Sequence, residues 1–252
     1  MKHKPLISVL VPVHNAAPHI VECIRSIKKQ TYRNYEIIAI DDNSTDNSYS
    51  ILRKLKTREK KLRIYRNVKR YGIAVTMNRL LEKAKGSYIA FASTNDLFTK
   101  NKLKRQFEFL NKEKGVVAVG TQCLFINDKG SKIGRSSYPL INDEIVQNPL
   151  HGISMQFETV MVNKKKLPKD VLRFDVDSHP FLYSDILIKI KPYGKFANLK
   201  NAFYYHRRDP KEYLNDLKRN IFALIKFFVR SKALYEFDSP LRSFFSPVLK
   251  SV

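Results

Sequence analysis

Hydrophobic and polar positions in the first half of the chain form two alternating patterns. Continuous apolar runs at residues 6–13, 35–41, 62–66 and 87–93 are typical of strands that are buried on both faces. Between them, apolar residues recur at the three- and four-residue spacing of amphipathic helices. The helical sets are Ile20, Cys23, Ile24, Ile27; Ile51, Leu52, Leu55; Ile73, Met77, Leu80, Leu81, Ala84; and Leu103, Phe107, Leu110. This repeat predicts an α/β fold with a mostly parallel sheet and helices on both faces.

Polar residues follow three of these strands. Ligands of parallel α/β sheets bind at the carboxyl ends of the strands, so these residues should line one rim of the sheet. The rim would contain His14 and Asn15, then Asp41 and Asp42, then Ser93, Thr94, Asn95 and Asp96.

The pattern changes near residue 115 and again near residue 211. Residues 116–138 predict a hairpin around the turn NDKG, the segment ETVMVN predicts a strand, and FANLKNAFYYH an extended segment. From residue 211 the chain is basic, aromatic and helical in spacing. We therefore expect a domain at 1–210, with halves 1–114 and 115–210, followed by a helical tail at 211–252.

Positive charge is the unusual feature of the composition. The formal net charge is +24, and ten basic residues between Arg53 and Arg70 face one acid, Glu59. Such a field attracts phosphates, anionic membrane surfaces or nucleic acid. A solvated lysine-rich surface explains any single run equally well.

Two cysteines in 252 residues are too few for a disulfide framework, which favours a reduced compartment. The run 7–13 is too short for a signal peptide. The run 221–229 is about half of the roughly 20 residues that span a bilayer. We expect a cytoplasmic protein, with a peripheral position at the membrane as a further possibility.

The segments SVLVPVHN, QTYRNYEIIAIDDNSTD, GIAVTMNRLLEKAKGSYIAF, the pair NP at 148–149, TVMVNKKKL and GKFANL occur in this order. Together they resemble family 2 glycosyltransferases over residues 6–208. The resemblance implies a GT-A fold, in which a nucleotide-binding half joins a smaller mixed, acceptor-binding half.

The resemblance also assigns a donor site. It places around the nucleotide Pro12, His14, Asn15, Asp41, Asp42 and Asn95. A carboxylate at a strand tip can accept the imide hydrogen of uracil, a role that falls on Asp42, and His14 stands where the family has a stacking Tyr. The alternative is that Asp41 and Asp42 only cap turns.

Members of the family carry several acids after the fourth strand. Here only Asp96 remains, because Ser93 and Asn95 occupy the other acidic places. The resemblance implies that Asp96 and the donor diphosphate hold a divalent cation, Mn²⁺ or Mg²⁺. Alternatively the site is metal-free, with Lys and Arg holding the diphosphate and Asp96 capping a helix that begins near Thr99.

The expected catalytic base is also displaced. Alignment without gaps puts Leu182 and Tyr183 at the family's Glu-Asp pair, and a two-residue slip makes Asp185 the base. The family pattern makes the nearby Asp175 and Asp177 structural.

The basic residues His206, Arg207 and Arg208 fall where the family often has basic residues near the diphosphate. The run 213–237 that follows either lies in an anionic membrane interface or packs its aromatic face on the domain.

These features predict an inverting glycosyltransferase that moves a sugar from a nucleotide-diphosphate donor, most simply a UDP-sugar, to a glycan or lipid-linked acceptor. The rival prediction is a protein of the same fold that binds nucleotide or glycan without transfer. A nucleic-acid partner is not expected, because only the charge supports it.

Overall fold

The computed structural model describes residues 4–147, 154–208 and 221–235. Its strands are β1 Ile7–Val13, β2 Tyr35–Asp41, β3 Leu62–Arg66, β4 Tyr88–Phe91, β5 Leu97–Phe98, β6 Val116–Ile126, β7 Lys132–Arg135, β8 Met161–Asn163 and β9 Lys195–Arg207. Its α-helices are α1 Ile20–Lys28, α2 Ser48–Arg58, α3 Ile73–Lys83, α4 Lys102–Lys112, α5 Asn142–Gln147, α6 Leu182–Ile190 and α7 Ile221–Tyr235.

The strands form one sheet in the order β3-β2-β1-β4-β8-β6-β9-β5, with β7 added to β6. Strands β1 to β4 pair in parallel, and so do β6 and β9. Strand β8 joins these two parallel groups through antiparallel pairs with β4 and β6. The predicted α/β class with a mostly parallel sheet is confirmed, and the second half is mixed as expected.

Helices cover both faces of the sheet because the strands are apolar on both faces. Val9 and Val11 of β1 pack in the cluster that includes α1 and α4. Leu10, between them, packs in the cluster that includes α3 and α6. The parallel strands therefore place their carboxyl ends, and not their faces, in contact with solvent.

Three elements differ from the prediction. Residues Phe157–Thr159 form a 3₁₀ turn, so the strand expected over ETVMVN begins only at β8. The two-residue strand β5 follows the polar hinge and pairs with β9. Helix α3 ends at Lys83, before Gly86, whose Cβ would lie 2.6 Å from the backbone nitrogen of Ser8. Gly86 thus allows a close backbone approach and does not cap the helix.

Helix α7 lies in the predicted tail and packs against the second half of the sheet domain. The rings of Phe181 and Phe227 lie 5.2 Å apart, and Arg230 pairs with Asp175. The remainder of the predicted tail, and the NP pair at 148–149, lie outside the described residues. The boundary at residue 210 stays a prediction. Within the described ranges, no helix is both long and apolar enough to cross a membrane.

Lys102 at the start of α4 is fully buried. Its Nζ donates to Oε1 of Gln106 at 2.9 Å and lies 4.2 Å from the centre of the Phe98 ring. Gln106 in turn donates to the backbone oxygens of Val119 and Thr159, so the pair fixes α4 to the sheet domain. Burial lowers the pKa of Lys102 to about 7.

Lys102 should make the stability of the protein depend on pH. The unfolded chain keeps this amine protonated up to its ordinary pKa of 10.5, so folding releases a proton above pH 7 and the free energy of unfolding should rise with pH. Lys102→Met should reduce this rise by about 1–3 kcal/mol between pH 7 and pH 9 in urea denaturation. Lys104→Met, on the exposed side of α4, is the matched control. If the free energy of unfolding rises equally with pH in both variants, the buried amine of Lys102 is not the source of the pH dependence.

Candidate functional site

The ends of β1 and β2 are fixed to each other by their following loops. The backbone nitrogen of Asn15 donates to Oγ of Ser44, and Oδ1 of Asn15 accepts from the backbone nitrogen of Thr45, both at 3.0 Å. Asn15 and Asn43 have positive φ angles of 48° and 55°, a backbone conformation that asparagine tolerates better than most residues. The loops therefore form one rigid edge beside Pro12 and His14.

Asp41 is a structural residue of this edge. Its side chain is fully buried, Oδ2 accepts from the backbone nitrogen of Ser44 at 3.1 Å, and Nε of Arg66 lies 3.2 Å from Oδ2. The structure thus supports the turn-forming role that the sequence left open for Asp41. The nucleotide role stays a prediction.

Asp42 holds a second turn at the strand ends. Its Oδ1 accepts from Nδ2 of Asn67 at 2.7 Å and from the backbone nitrogen of Tyr71 at 2.9 Å, and Oδ2 accepts from the backbone nitrogen of Gly72 at 2.8 Å. Burial alone would raise the pKa of Asp42, but these hydrogen bonds outweigh it and hold the pKa below its ordinary value. The carboxylate therefore stays charged with its geometry fixed.

Arg79 completes this group. Its Nη1 donates to Oδ1 of Asn67 at 2.6 Å, and its guanidinium lies 4.3 Å from the centre of the Tyr71 ring. Neither Asn67 nor Arg79 was predicted from the sequence. We name residues Asp42, Asn67, Tyr71, Gly72 and Arg79 the Asp42 cluster.

Asp96 is the centre of a second group, built where the hinge meets β9. It is 1% exposed, and Oδ2 accepts from the hydroxyl of Tyr204 at 2.9 Å and lies 3.0 Å from Nδ1 of His206. Oδ1 accepts from the backbone nitrogen of Arg207 at 2.8 Å. Helix α4 begins at Lys102, so the alternative that Asp96 caps this helix is wrong.

Arg207 fixes the loops around this carboxylate. Its Nε donates to the backbone oxygen of Asn95 at 3.0 Å, and its Nη1 donates to the backbone oxygens of Asn127 and Asp128 at 2.8 and 2.6 Å. Its Nη2 lies 3.3 Å from a carboxylate oxygen of Glu22. The guanidinium of Arg207 is thus occupied by protein groups and is not free to bind a phosphate.

His206 is tuned by the acids around it. Burial would lower the pKa of His206, but the hydrogen bond and charge of Asp96, helped by Glu158, raise it above the ordinary 6.5 against the opposing charge of Arg208. The ion pair therefore stabilises the fold below pH 6.5, and this contribution is lost as pH rises through the raised pKa.

The surroundings of Asp96 do not form a ready cation site. The carboxylate is 1% exposed, Oδ2 meets Tyr204 and His206, and Oδ1 accepts one hydrogen bond from Arg207. The residues described contain no cluster of three or more His, Cys, Asp or Glu side chains arranged to hold a metal ion. A cation would have Asp96 as its one acid ligand, at the remaining acceptor position of Oδ1, unless Tyr204 or His206 releases Oδ2.

Helix α6 separates Tyr183 from Asp185. The Tyr183 ring stacks on Phe157, with centres 4.3 Å apart and planes at 7°. Asp185, 1% exposed, pairs with Nζ of Lys189 at 2.7 Å. Two residues are about 200° apart around a helix, so these side chains leave opposite faces of α6. Lys189 lines a cavity of about 1150 Å³ beside α3, which contains none of the strand-end residues.

Comparisons with known proteins show which family the chain belongs to. The family model for glycosyl transferase family 2 matches residues 8–172, more than half of the chain. The chain belongs to this family. An uncharacterized glycosyltransferase of Haemophilus influenzae is 29% identical over 201 residues, which cover 79% of this chain and 78% of the relative. The protein is therefore a glycosyltransferase, as the resemblance implied.

Two solved structures support the GT-A fold of this family 2 glycosyltransferase. Residues 1–349 of S. aureus TarS in complex with UDP-GlcNAc have a TM-score of 0.71 at 17% identity, covering 92% of this chain and 68% of that TarS chain. The mannosyltransferase PcManGT from Pyrobaculum calidifontis, in complex with GDP-Man and Mn²⁺, has a TM-score of 0.72 at 18% identity, covering 99% and 69%. Identities this low establish the fold alone.

Asp96→Asn should lower stability and leave cation dependence unchanged. The amide nitrogen of Asn would meet donor groups, so we expect a loss of about 1–3 kcal/mol in the free energy of unfolding, measured by urea denaturation. Asp128→Asn, on the exposed turn beside Arg207, should have little effect. We also expect wild-type UDP affinity to change less than twofold on adding Mn²⁺ in calorimetry. A large gain in affinity with Mn²⁺ would show that the carboxylate is released to a cation.

Proposed function

We propose that this glycosyltransferase inverts the anomeric centre and takes a UDP-sugar as donor. The observation that supports this proposal best is the Asp42 cluster, which fixes a charged carboxylate at the carboxyl end of β2 beside Pro12 and His14. A base bound there meets a carboxylate that cannot rotate. His14 lies at its edge, with Nδ1 3.1 Å from the backbone oxygen of Asp42.

The hydrogen bonds of Asp42 hold its carboxylate in place at the strand end. Oδ1 accepts two hydrogen bonds, Oδ2 accepts one from Gly72, and the hydroxyl of Thr76 also hydrogen-bonds to the group. We take uracil as the base, because its imide N–H needs a fixed acceptor at this place. The complex of TarS with UDP-GlcNAc supports uracil as the base of the donor. The complex of PcManGT with GDP-Man makes guanine the alternative base to test.

We include a divalent cation in the proposal only if Asp96 can coordinate it. The Mn²⁺ in the PcManGT complex supports a cation beside the diphosphate. When bound, such an ion would offset the charge that develops on the leaving group. Because Tyr204, His206 and Arg207 already contact the Asp96 carboxylate, we assign no step to a cation. The ring of His206, whose raised pKa favours its charged form, is the cationic group that the structure places at this carboxylate.

The rival proposal is a protein that binds the nucleotide without transferring sugar. One observation favours it: burial raises the pKa of Tyr183, the residue that alignment without gaps puts at the family's base position, far beyond neutrality. A neutral phenol of that kind is a poor base. Turnover of a UDP-sugar separates the two proposals.

The acceptor proposal, a glycan or lipid-linked acceptor, draws on helix α7. Phe222 and Val229 are 84% and 61% exposed and lie with Ile225 on one stripe, beside the exposed Lys226 and Lys232. The opposite face packs on α6 through Phe227. The packing alternative therefore describes one face of this helix. We propose that the exposed face, which has the composition of an interfacial membrane helix, lies against an anionic membrane.

Asp42→Ala should weaken UDP binding by about 10- to 100-fold, the equivalent of about 1–3 kcal/mol for an unpaired buried partner. Wild-type protein should bind UDP at least about tenfold more tightly than GDP, because the proposed donor carries uracil. Calorimetry with both nucleotides gives the two affinities, and the exposed Asp170→Ala is the control. Equal affinity of the Asp42 variant, with the fold intact, would remove Asp42 from the donor site.

The double variant Phe222→Ser, Val229→Ser should lose about tenfold or more in affinity for vesicles containing phosphatidylglycerol. Sedimentation at high salt is the decisive condition, because salt screens the attraction that the basic surface makes on its own. Val68→Ser with Ile133→Ser, two other exposed apolar residues, is the matched control. Equal losses in the two double variants would mean that α7 has no special part in binding.

A further inference from the structure

The transfer proposed above requires a group that takes the proton of the acceptor hydroxyl. Asp185 is 1% exposed and lies 2.7 Å from Nζ of Lys189, and neither of its oxygens accepts a well-aligned hydrogen bond from the described residues. It leaves α6 on the face opposite to Tyr183, so burial and direction, not saturation, remove it from the base role. Asp96 meets three protein groups, and Asp175 pairs with Arg230 of α7. Asp41 and Asp42 lie at the carboxyl end of β2, so none of these carboxylates is placed to meet an acceptor beside Tyr183.

Glu158 is a carboxylate in the required region. It lies in the 3₁₀ turn Phe157–Thr159, directly after Phe157, whose ring stacks on Tyr183. Its charge contributes to raising the pKa of Tyr183 and of His206, so it lies within electrostatic range of both side chains. The turn thus brings a carboxylate near Tyr183, the residue that alignment without gaps puts in place of the family's aspartate.

The Glu158 carboxylate is held on one side and open on the other. Oε2 accepts from Nε2 of Gln156 at 2.6 Å, and the hydroxyl of Tyr138 donates to Oε1 of Gln156 at 3.1 Å. This chain fixes the orientation of the carboxylate. The backbone N–H of Glu158 also donates to its carboxylate. Two hydrogen bonds leave acceptor positions of the carboxylate available to an external donor.

The surroundings also make Glu158 a stronger base than an ordinary glutamate. Burial raises its pKa above the usual 4.5, the nearby charge of Asp96 raises it further, and His206 and the hydrogen bond from Gln156 oppose the shift. A base whose pKa moves toward neutrality takes up a proton more readily while it remains ionised at the working pH.

We propose that Glu158 is the general base of this glycosyltransferase. The acceptor hydroxyl oxygen attacks the anomeric carbon from the side opposite the diphosphate. The bond between that carbon and the diphosphate oxygen breaks, and its electron pair leaves with the diphosphate. The hydroxyl proton passes to Oε1 of Glu158. The proposal rests on the transfer function proposed above and replaces Asp185 in the base role.

The test compares Glu158→Gln with Asp185→Asn in the full chain, using a panel of UDP-sugars with water or azide as acceptor. Water must lose a proton to attack, whereas azide is already an anion. We expect Glu158→Gln to lower kcat for hydrolysis by about 10²- to 10⁴-fold. Its rate with azide should stay within a fewfold of wild type, and UDP affinity should stay within about twofold. Asp185→Asn should keep wild-type hydrolysis.

The pH profile gives an independent readout. Wild-type hydrolysis should fall on the acid side with a limb above pH 4.5, and the azide reaction should lack this limb. The titratable or charged groups whose charge acts on this region are Asp96, Cys123, Tyr183, Tyr204, His206 and Arg208. Tyr183→Phe should retain the limb, since the phenol stays neutral throughout.

Two results would overturn the proposal in distinguishable ways. Normal hydrolysis by Glu158→Gln together with loss in Asp185→Asn would transfer the base role to Asp185 and leave the transfer function intact. Tight UDP binding by wild type without turnover of any UDP-sugar, in water or azide, would overturn the transfer function and the base with it.

Discussion

The buried charge of Asp96 is the constraint on which the rest of the site depends. A carboxylate removed from water must be paired or fully hydrogen-bonded, because an unsatisfied buried charge is very unfavourable. The partners here all come from β9 of the second half, which also meets the first half through β5 and through the side chain of Arg207 at Asn95 and Glu22. Satisfying this one charge therefore helps to align the two halves of the domain along their shared rim.

The two acid groups at the rim reach rigidity by different means. Asp42 accepts hydrogen bonds from main-chain donors of a following turn, whereas Asp96 accepts them from strand β9 of the second half. Arg207 extends the second arrangement to the β6–β7 hairpin through backbone oxygens. The Asp42 cluster consequently fixes a turn at the strand ends, and the hinge at Asp96 holds the two halves of the domain together.

The sequence predicted the strands and helices well because continuous apolar runs and helical spacing are local properties. It predicted the site less well because the contacts of the site are not local. The partners of Asp96 follow it by 108 to 111 residues. The alternation of Tyr204 and His206 along one strand was a usable signal that both face the same way. Glu158 was missed because a strand was expected where the chain forms a 3₁₀ turn.

Helix α7 has a geometric consequence for the range of acceptors. It packs on α6 by one face and exposes Phe222 and Val229 on another. An α-helix with its side chains is roughly 10 Å in diameter. A lipid surface in contact with the exposed stripe would therefore stand at about that distance from α6. The helix would act as a spacer between the membrane and α6. Only acceptor hydroxyl groups that extend above the lipid headgroups by at least one unit of a lipid carrier would then reach the residues that carry out transfer.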